Sequence, residues 1–143
     1  MPDTGLSIEI ADGPAAADVA EIERRLMAYN AHRAGRSYDR KPLAVFLRAD
    51  GALVGGLTGH TDWGWLYIDC FWLAEELRGG GWGSRLLDLA EFTARERGCR
   101  HVRLYTYDFQ APDFYRRRGY DVFGVLDGCP PGHRLYWLRK DLD

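Results

Sequence analysis

Between residues 78 and 84 the chain reads Arg-Gly-Gly-Gly-Trp-Gly-Ser. Glycines at a strand-to-helix turn let backbone N–H groups approach an anion at a helix N-terminus, where the dipole favours negative charge. Arg78, Gly79, Gly80, Gly81, Trp82, Gly83 and Ser84 therefore read as a phosphate cradle, because three consecutive glycines carry an entropic cost that a plain connection does not require. A Walker loop needs Gly-Lys-Ser/Thr at its end, and Gly83-Ser84-Arg85 does not supply it. A dinucleotide turn follows the first strand of its fold, whereas this one comes after about the fourth. A second group with chemical potential is Asp69, inside the otherwise apolar and aromatic run of residues 65–73. A carboxylate there is expected to have a raised pKa and to be either functional or paired as a structural acid. His60, near a hairpin end, could relay a proton or sit on the surface. Cys70, Cys99 and Cys129 are odd in number and lack metal-ligand spacing, so they read as reduced thiols, and no metal is expected. Cys70, without an evident histidine partner on its strand, reads as core filler and not as a nucleophile.

The elements that must hold these groups follow from hydrophobic period. Residues 6–10 alternate as a strand does; Asp12-Gly13-Pro14 then offers cap-like and first-turn residues before Val19, Ile22, Leu26 and Tyr29 recur at helical spacing. Residues 43–48 and 52–61 read as strands joined at Asp50-Gly51, a hairpin signal. After a turn at Trp63-Gly64, residues 65–73 have the near-continuous apolar pattern of a central strand covered on both faces. From Gly83 the period becomes helical, with Leu86, Leu89, Ala90, Thr93 and Ala94 on one face, until Gly98 stops it. A strand over 101–107, a short helix from Pro112 to Arg118, and strands over 120–126 and 135–139 complete the chain. The expectation is one domain, residues 1–143, of the α/β (mixed α+β) class, with a mixed, mostly antiparallel sheet of about seven strands and helices on both faces.

Composition narrows the function classes. The 143 residues carry a net charge of −2, and their 19 basic side chains are scattered, so no nucleic acid partner is expected. The first five residues lack a basic and apolar leader pattern and no apolar run approaches a membrane span, which points to a cytoplasmic chain with no membrane partner. Eight Tyr and five Trp suggest a cleft with flat, amphipathic walls.

Two segments in order resemble the GNAT superfamily of acyl-CoA-dependent N-acyltransferases. Arg78, Gly81 and Gly83 match the family's signature of Arg or Gln, two residues, Gly, one residue, and Gly or Ala. Residues 111–120, Ala-Pro-Asp-Phe-Tyr-Arg-Arg-Arg-Gly-Tyr, are similar to its second motif, an aromatic-Tyr pair on a short helix before Gly-Tyr or Gly-Phe. The resemblance covers nearly the whole chain and implies acetyl-CoA as co-substrate, with its pantetheine arm along Phe71, Trp72 and Leu73 and its pyrophosphate on Gly79 to Ser84. It assigns Tyr115 to the donor's sulfur as general acid, with Asp69 the best local base, in a direct transfer to a primary amine of a small molecule or peptide. Tyr29, Tyr38 and His60 would line the acceptor side by fold analogy. Two departures stand out: Arg103 occupies about the position where some members carry a Glu base, and the Asn often found near Asp108 is absent. A catalytically silent CoA-binding sensor is the alternative these departures keep open, and a homodimer is an assembly open to either.

Overall fold

The computed structural model describes residues 5–143; residues 1–4, on which most of the expectation of no leader rests, lie outside the described residues. The chain divides into two compact units, one ending at Tyr38 and the other running from Asp39 to Asp143. The first is built on α1, Ala16–Ala34, which ends where Gly35 turns left-handed (φ 68°) and donates its N–H to the carbonyls of Ala31 and His32. Arg24 and Arg25 both reach Glu21 at 2.7 Å, the i,i+3 and i,i+4 pairs of a solvated helix face. Val19, Ile22, Leu26 and Tyr29 are all exposed, and no residue of α1 is buried. Residues 6–10 do not form the expected strand: Leu6, Ile8 and Ile10 are exposed, and among the described residues the sheet has six strands where about seven were expected. Alternation specifies a strand only where a neighbouring edge takes up its hydrogen bonds, and no ladder to this segment forms among the described residues.

The second unit is the sheet and its helices. Its strands are β1 (Lys41–Ala49), β2 (Ala52–Asp62), β3 (Trp65–Leu73), β4 (His101–Tyr107), β5 (Asp121–Asp127) and β6 (Arg134–Asp141), in the spatial order β1-β2-β3-β4-β6-β5. The predicted hairpin at Asp50-Gly51 (50° and 84°) and the predicted turn at Trp63-Gly64 (45° and 82°) each hold two successive residues at positive φ, the backbone twist that two-residue hairpins need. Among the described residues the only parallel pairing joins β3 to β4, and the crossover between them carries α2, Trp82–Glu96. A short α3, Pro112–Arg117, links β4 to β5.

One face of the sheet is the core. Leu43, Leu57, Leu66, Ile68, Val102, Leu104 and Leu138 pack there against Leu86, Leu87, Ala90 and Ala94 of α2 and against Tyr115 and Tyr120. The buried stripe of α2 is rotated from the expected one: Leu87 and Glu91 point inward while Leu89 is exposed. The rotation brings an acid inward, where its oxygens find partners. Glu91, 3 % exposed, accepts the Tyr120 hydroxyl at 2.7 Å and the Lys140 ammonium at 2.9 Å. A carboxylate so held is tolerated in a core that would otherwise reject it. The opposite face carries the alternate residues, among them Trp65, Tyr67, Arg103, Tyr105, Trp137 and Arg139, which are only partly covered.

Candidate functional site

The site begins where two strands part. The β3–β4 register runs from Trp65↔His101 to Ile68↔Leu104 and stops. Beyond it β3 stays with β2, through Phe71↔Leu57 and Leu73↔Gly55, while β4 stays with β6, through Tyr105↔Trp137 and Tyr107↔Leu135. A wedge therefore opens between residues 69–73 and 105–107, with unpaired backbone groups of each strand on its inner edges. An extended ligand can add to such an edge as a strand would.

Asp69 sits at the apex of this wedge because of a bulge. On β2 the partners step from Thr58↔Cys70 to Gly59↔Ile68, so Asp69 is the extra residue of β3. Gly59 permits this crossing, since a Cβ there would collide with the Tyr67 carbonyl. The bulge also changes which side chains face inward: Phe71 meets the rings of Phe114 and Tyr115 on the core side, while Asp69, Cys70 and Trp72 are exposed. The second half of β3 is thus not covered on both faces as its composition suggests. Asp69 is an exposed acid at the wedge, not one enclosed in an apolar strand, and Cys70 is an exposed thiol, not core filler.

Beyond Leu73 the chain makes a 3-10 turn, Glu75–Leu77, and then the glycine segment. Arg78 donates from Nε to the Leu73 carbonyl at 3.1 Å, fastening the loop to the end of β3. Gly79 and Gly81 take φ of 79° and 83°, and a Cβ at either would meet open space, so their backbones are accessible from outside. Gly81 caps α2 with no side-chain bond to the helix's first N–H groups, and no acid lies in the first turn. The N-terminus of this 15-residue helix consequently presents free donors and positive dipole, with the Arg85 guanidinium stacked on Trp82 at 4.4 Å beside them. This arrangement fits a pyrophosphate. Gly83 comes next to the Phe114 ring, where a Cβ would touch Cε1 and Cζ at 3.5 Å, so α3 and its tyrosine are held close to the turn.

Tyr115 is 8 % exposed and lies among Phe71, Phe114 and Tyr120, with ring centroids 5.2 to 6.4 Å away. Burial pushes its hydroxyl up to about 12, which moves the alkaline limb expected of an ordinary tyrosine well above 10. On the open face, Tyr67 and Tyr105 are both raised, first by burial and then by neighbours that include the Asp69 carboxylate. His60 is partly buried against the Tyr67 ring at 5.4 Å, and burial followed by the charge of Arg40 holds its pKa below the usual histidine range. Tyr29 and Tyr38 belong to the other compact unit, Tyr29 exposed on α1 and Tyr38 partly covered just after it. The aromatic lining of the wedge, Tyr67, Tyr105 and Trp137, escaped the sequence reading, although strand alternation on β3 and β4 carries the signal. Among the described residues no group of three His, Cys, Asp or Glu could hold a metal ion, and no helix is long and apolar enough to cross a membrane.

Comparison with known proteins adds to this geometry. The sequence model of the Acetyltransferase (GNAT) family matches residues 11–120. Over 125 residues the chain is 40 % identical to the blasticidin-S acetyltransferase of Streptomyces morookaense, a match covering 84 % of this chain and 92 % of the relative. Over 130 residues it is 38 % identical to acetyltransferase Atu2258 of Agrobacterium fabrum, covering 86 % and 94 %. The crystal structure of an acetyltransferase from Bacillus cereus superposes with a TM-score of 0.82 at 30 % identity, covering 94 % of this chain and 98 % of that one.

The turn gives a direct test. CoA at a hundred times its Kd should stabilise the protein by about 2.7 kcal/mol. Gly80→Asp places a carboxylate in the cradle where a Cβ meets nothing closer than 3.5 Å, so the fold should survive while the CoA-induced rise in melting temperature disappears. A rise equal to that of the parent would move the pyrophosphate elsewhere.

Proposed function

Because the chain belongs to the GNAT family of acetyltransferases, we propose that it moves the acetyl group of acetyl-CoA directly to the primary amine of a small molecule, acting as one domain over residues 1–143. The observation that carries this reading is the convergence of an open strand edge, an uncapped glycine turn and a buried tyrosine on a single wedge with an acid at its apex. A relative named for acetylating blasticidin S favours a small molecule over a peptide.

The residues divide the work by position. Backbone groups of Phe71, Trp72 and Leu73 pair with the extended arm of the donor, and the N–H groups of Gly79 to Ser84 take its pyrophosphate, with Trp82 and Arg78 shaping the turn. Bound acetyl-CoA supplies an activated thioester. An amine with a pKa near 10 arrives protonated, so Asp69, or a water it anchors, accepts the proton that must leave before the nitrogen can attack. His60, on the same face and held toward its neutral form, lines the approach of the acceptor. As the nitrogen–carbon bond forms and the carbon–sulfur bond breaks, the Tyr115 hydroxyl donates to the sulfur. A thiol has a pKa near 8.5, far below that of Tyr115, so the hydroxyl stabilises the thiolate by hydrogen bonding and the amine's proton completes the balance. No acyl-enzyme forms on Cys70.

A homodimer is part of the same proposal. Sedimentation should give twice the chain mass at micromolar concentration; a parent that is monomeric at every concentration removes the dimer.

Tyr115→Phe should lower kcat by about 100- to 1,000-fold, as for removal of one hydrogen-bond donor to a developing negative charge, with CoA affinity unchanged. With the hydroxyl pushed to about 12, the parent's kcat should show no tyrosine limb between pH 7 and 10. Activity of the variant within about twofold of the parent would leave Tyr115 a core aromatic.

Asp69→Asn should reduce kcat/KM most at neutral pH, and the deficit should shrink as pH approaches the amine's own pKa of about 10, where deprotonation needs no base. An equal deficit at every pH would instead make Asp69 a structural or binding residue.

A further inference from the structure

On the open face of the sheet, two residue pairs below the apex of the wedge on β4 and β6, Arg103 and Arg139 stand directly opposite each other in the antiparallel register. Like charges in that position repel and weaken a sheet unless something offsets them. The Arg103 guanidinium lies over the Tyr67 ring at 4.4 Å and Arg139 over Trp65 at 4.9 Å. An aromatic face attracts the charge but offers no lone pair to the N–H donors of a guanidinium. Arg139 also gives one bond to the exposed Asp141 at 3.1 Å, which engages a single one of its donors. Both arginines line an open cavity of about 430 Å3 together with Trp63, Trp65, Phe123 and Asp62, whose carboxylate is 3.7 Å from His60 Nε2. The cavity is therefore polarised, positive on the β4–β6 side.

We propose that Arg103 and Arg139 form a carboxylate-binding subsite, so that the acceptor is an amine that also carries a carboxylate. The inference rests on the acetyl-transfer reading of the wedge and narrows its substrate class. Strand alternation places Tyr105 next after Arg103 on this face, and Asp69 next after Tyr67, the residue paired with Arg103. Two residues along a strand span about 7 Å. An acceptor whose ammonium meets Asp69 thus reaches the Arg103 guanidinium, which lies over Tyr67, with a carboxylate about 7 Å away, while the Arg139 guanidinium, over Trp65, stands two residues farther along β3 and meets the carboxylate from the far side. The planar forks suit two-point binding of a carboxylate, which fixes the end of the acceptor remote from the reaction and so aims its amine. Arg103 and Arg139 act here as specificity residues and touch no reacting atom.

The test uses straight-chain ω-amino acids with an amine-to-carboxylate span of about 7 Å and, for each, the amide in which the carboxylate is masked. With the intact protein and acetyl-CoA, followed by CoA release, the acid should exceed its amide in kcat/KM by about 10- to 100-fold, mostly through KM, as for loss of a charge-assisted pair. Arg103→Gln and Arg139→Gln should each bring acid and amide close to equality without changing the CoA-induced melting shift. Arg103→Lys, which keeps the charge but not the fork, should fall between. A parent that uses both forms equally, or variants that keep the preference, would overturn the subsite. Binding is read separately from turnover by titrating the same compounds against tryptophan fluorescence in the presence of CoA, since Trp65 lies under Arg139. Carboxylate-dependent binding without acetylation of any amine would sustain the subsite and sink the transfer reading alone. No carboxylate-dependent binding in the parent would sink the subsite whatever the turnover.

Discussion

The parting of β3 from β4 after Ile68 and Leu104 is the constraint on which the rest of the molecule depends. A continuous parallel ladder would satisfy every backbone group on those strands and leave nowhere for an extended ligand to pair. Each strand instead finds its support on the other side, β3 from β2 and β4 from β6, so the sheet divides into two antiparallel halves joined by four residue pairs. The bulge at Asp69 makes the division abrupt. It bends β3, sends Phe71 into the core, and leaves the acid at the point where the gap begins.

Opening a sheet in this way costs stability unless the halves are clamped elsewhere. The core face does so: Leu66, Ile68, Val102 and Leu104 are buried together beneath α2, and Leu87 and Ala90 are fully covered against them. Glu91 adds a polar clamp, joining α2 to β6 through Lys140 and to the segment after α3 through Tyr120. Tyr120 in turn packs edge-on against Tyr115. The position of Tyr115 relative to the glycine turn is thereby set from both ends, by the Phe114 ring against Gly83 and by this buried cluster. The same enclosure strips water from the Tyr115 hydroxyl and keeps it protonated across the whole working range of pH.

The two faces of the sheet have separate duties. The core face is aliphatic and holds the turn, α2 and α3 in place. The open face is aromatic and charged, with arginines laid on tyrosine and tryptophan rings and an acid at the wedge. Such a surface can recognise a polar amine without binding it through apolar contact alone.

Local sequence determined much of this. The strand-to-helix glycine turn, the hairpin at Asp50-Gly51, the turn at Trp63-Gly64, and the short helix bearing Phe114 and Tyr115 were all legible, because positive φ, N-terminal proline and hydrophobic period are encoded within a few residues. Tertiary structure decided the rest. Residues 65–73 are apolar at nearly every position, so their period could not reveal that Asp69 is an extra residue or that Phe71 and not Cys70 turns inward; that choice is made by the register against β2. The face of α2 that is buried includes Glu91, which no hydrophobic pattern selects, because its partners Tyr120 and Lys140 lie 29 and 49 residues away. The opposition of Arg103 and Arg139 exists only through the pairing of β4 with β6. The strand expected over residues 6–10 shows the same limit from the other side: alternation states a preference, and only an edge with hydrogen bonds to give turns it into a strand.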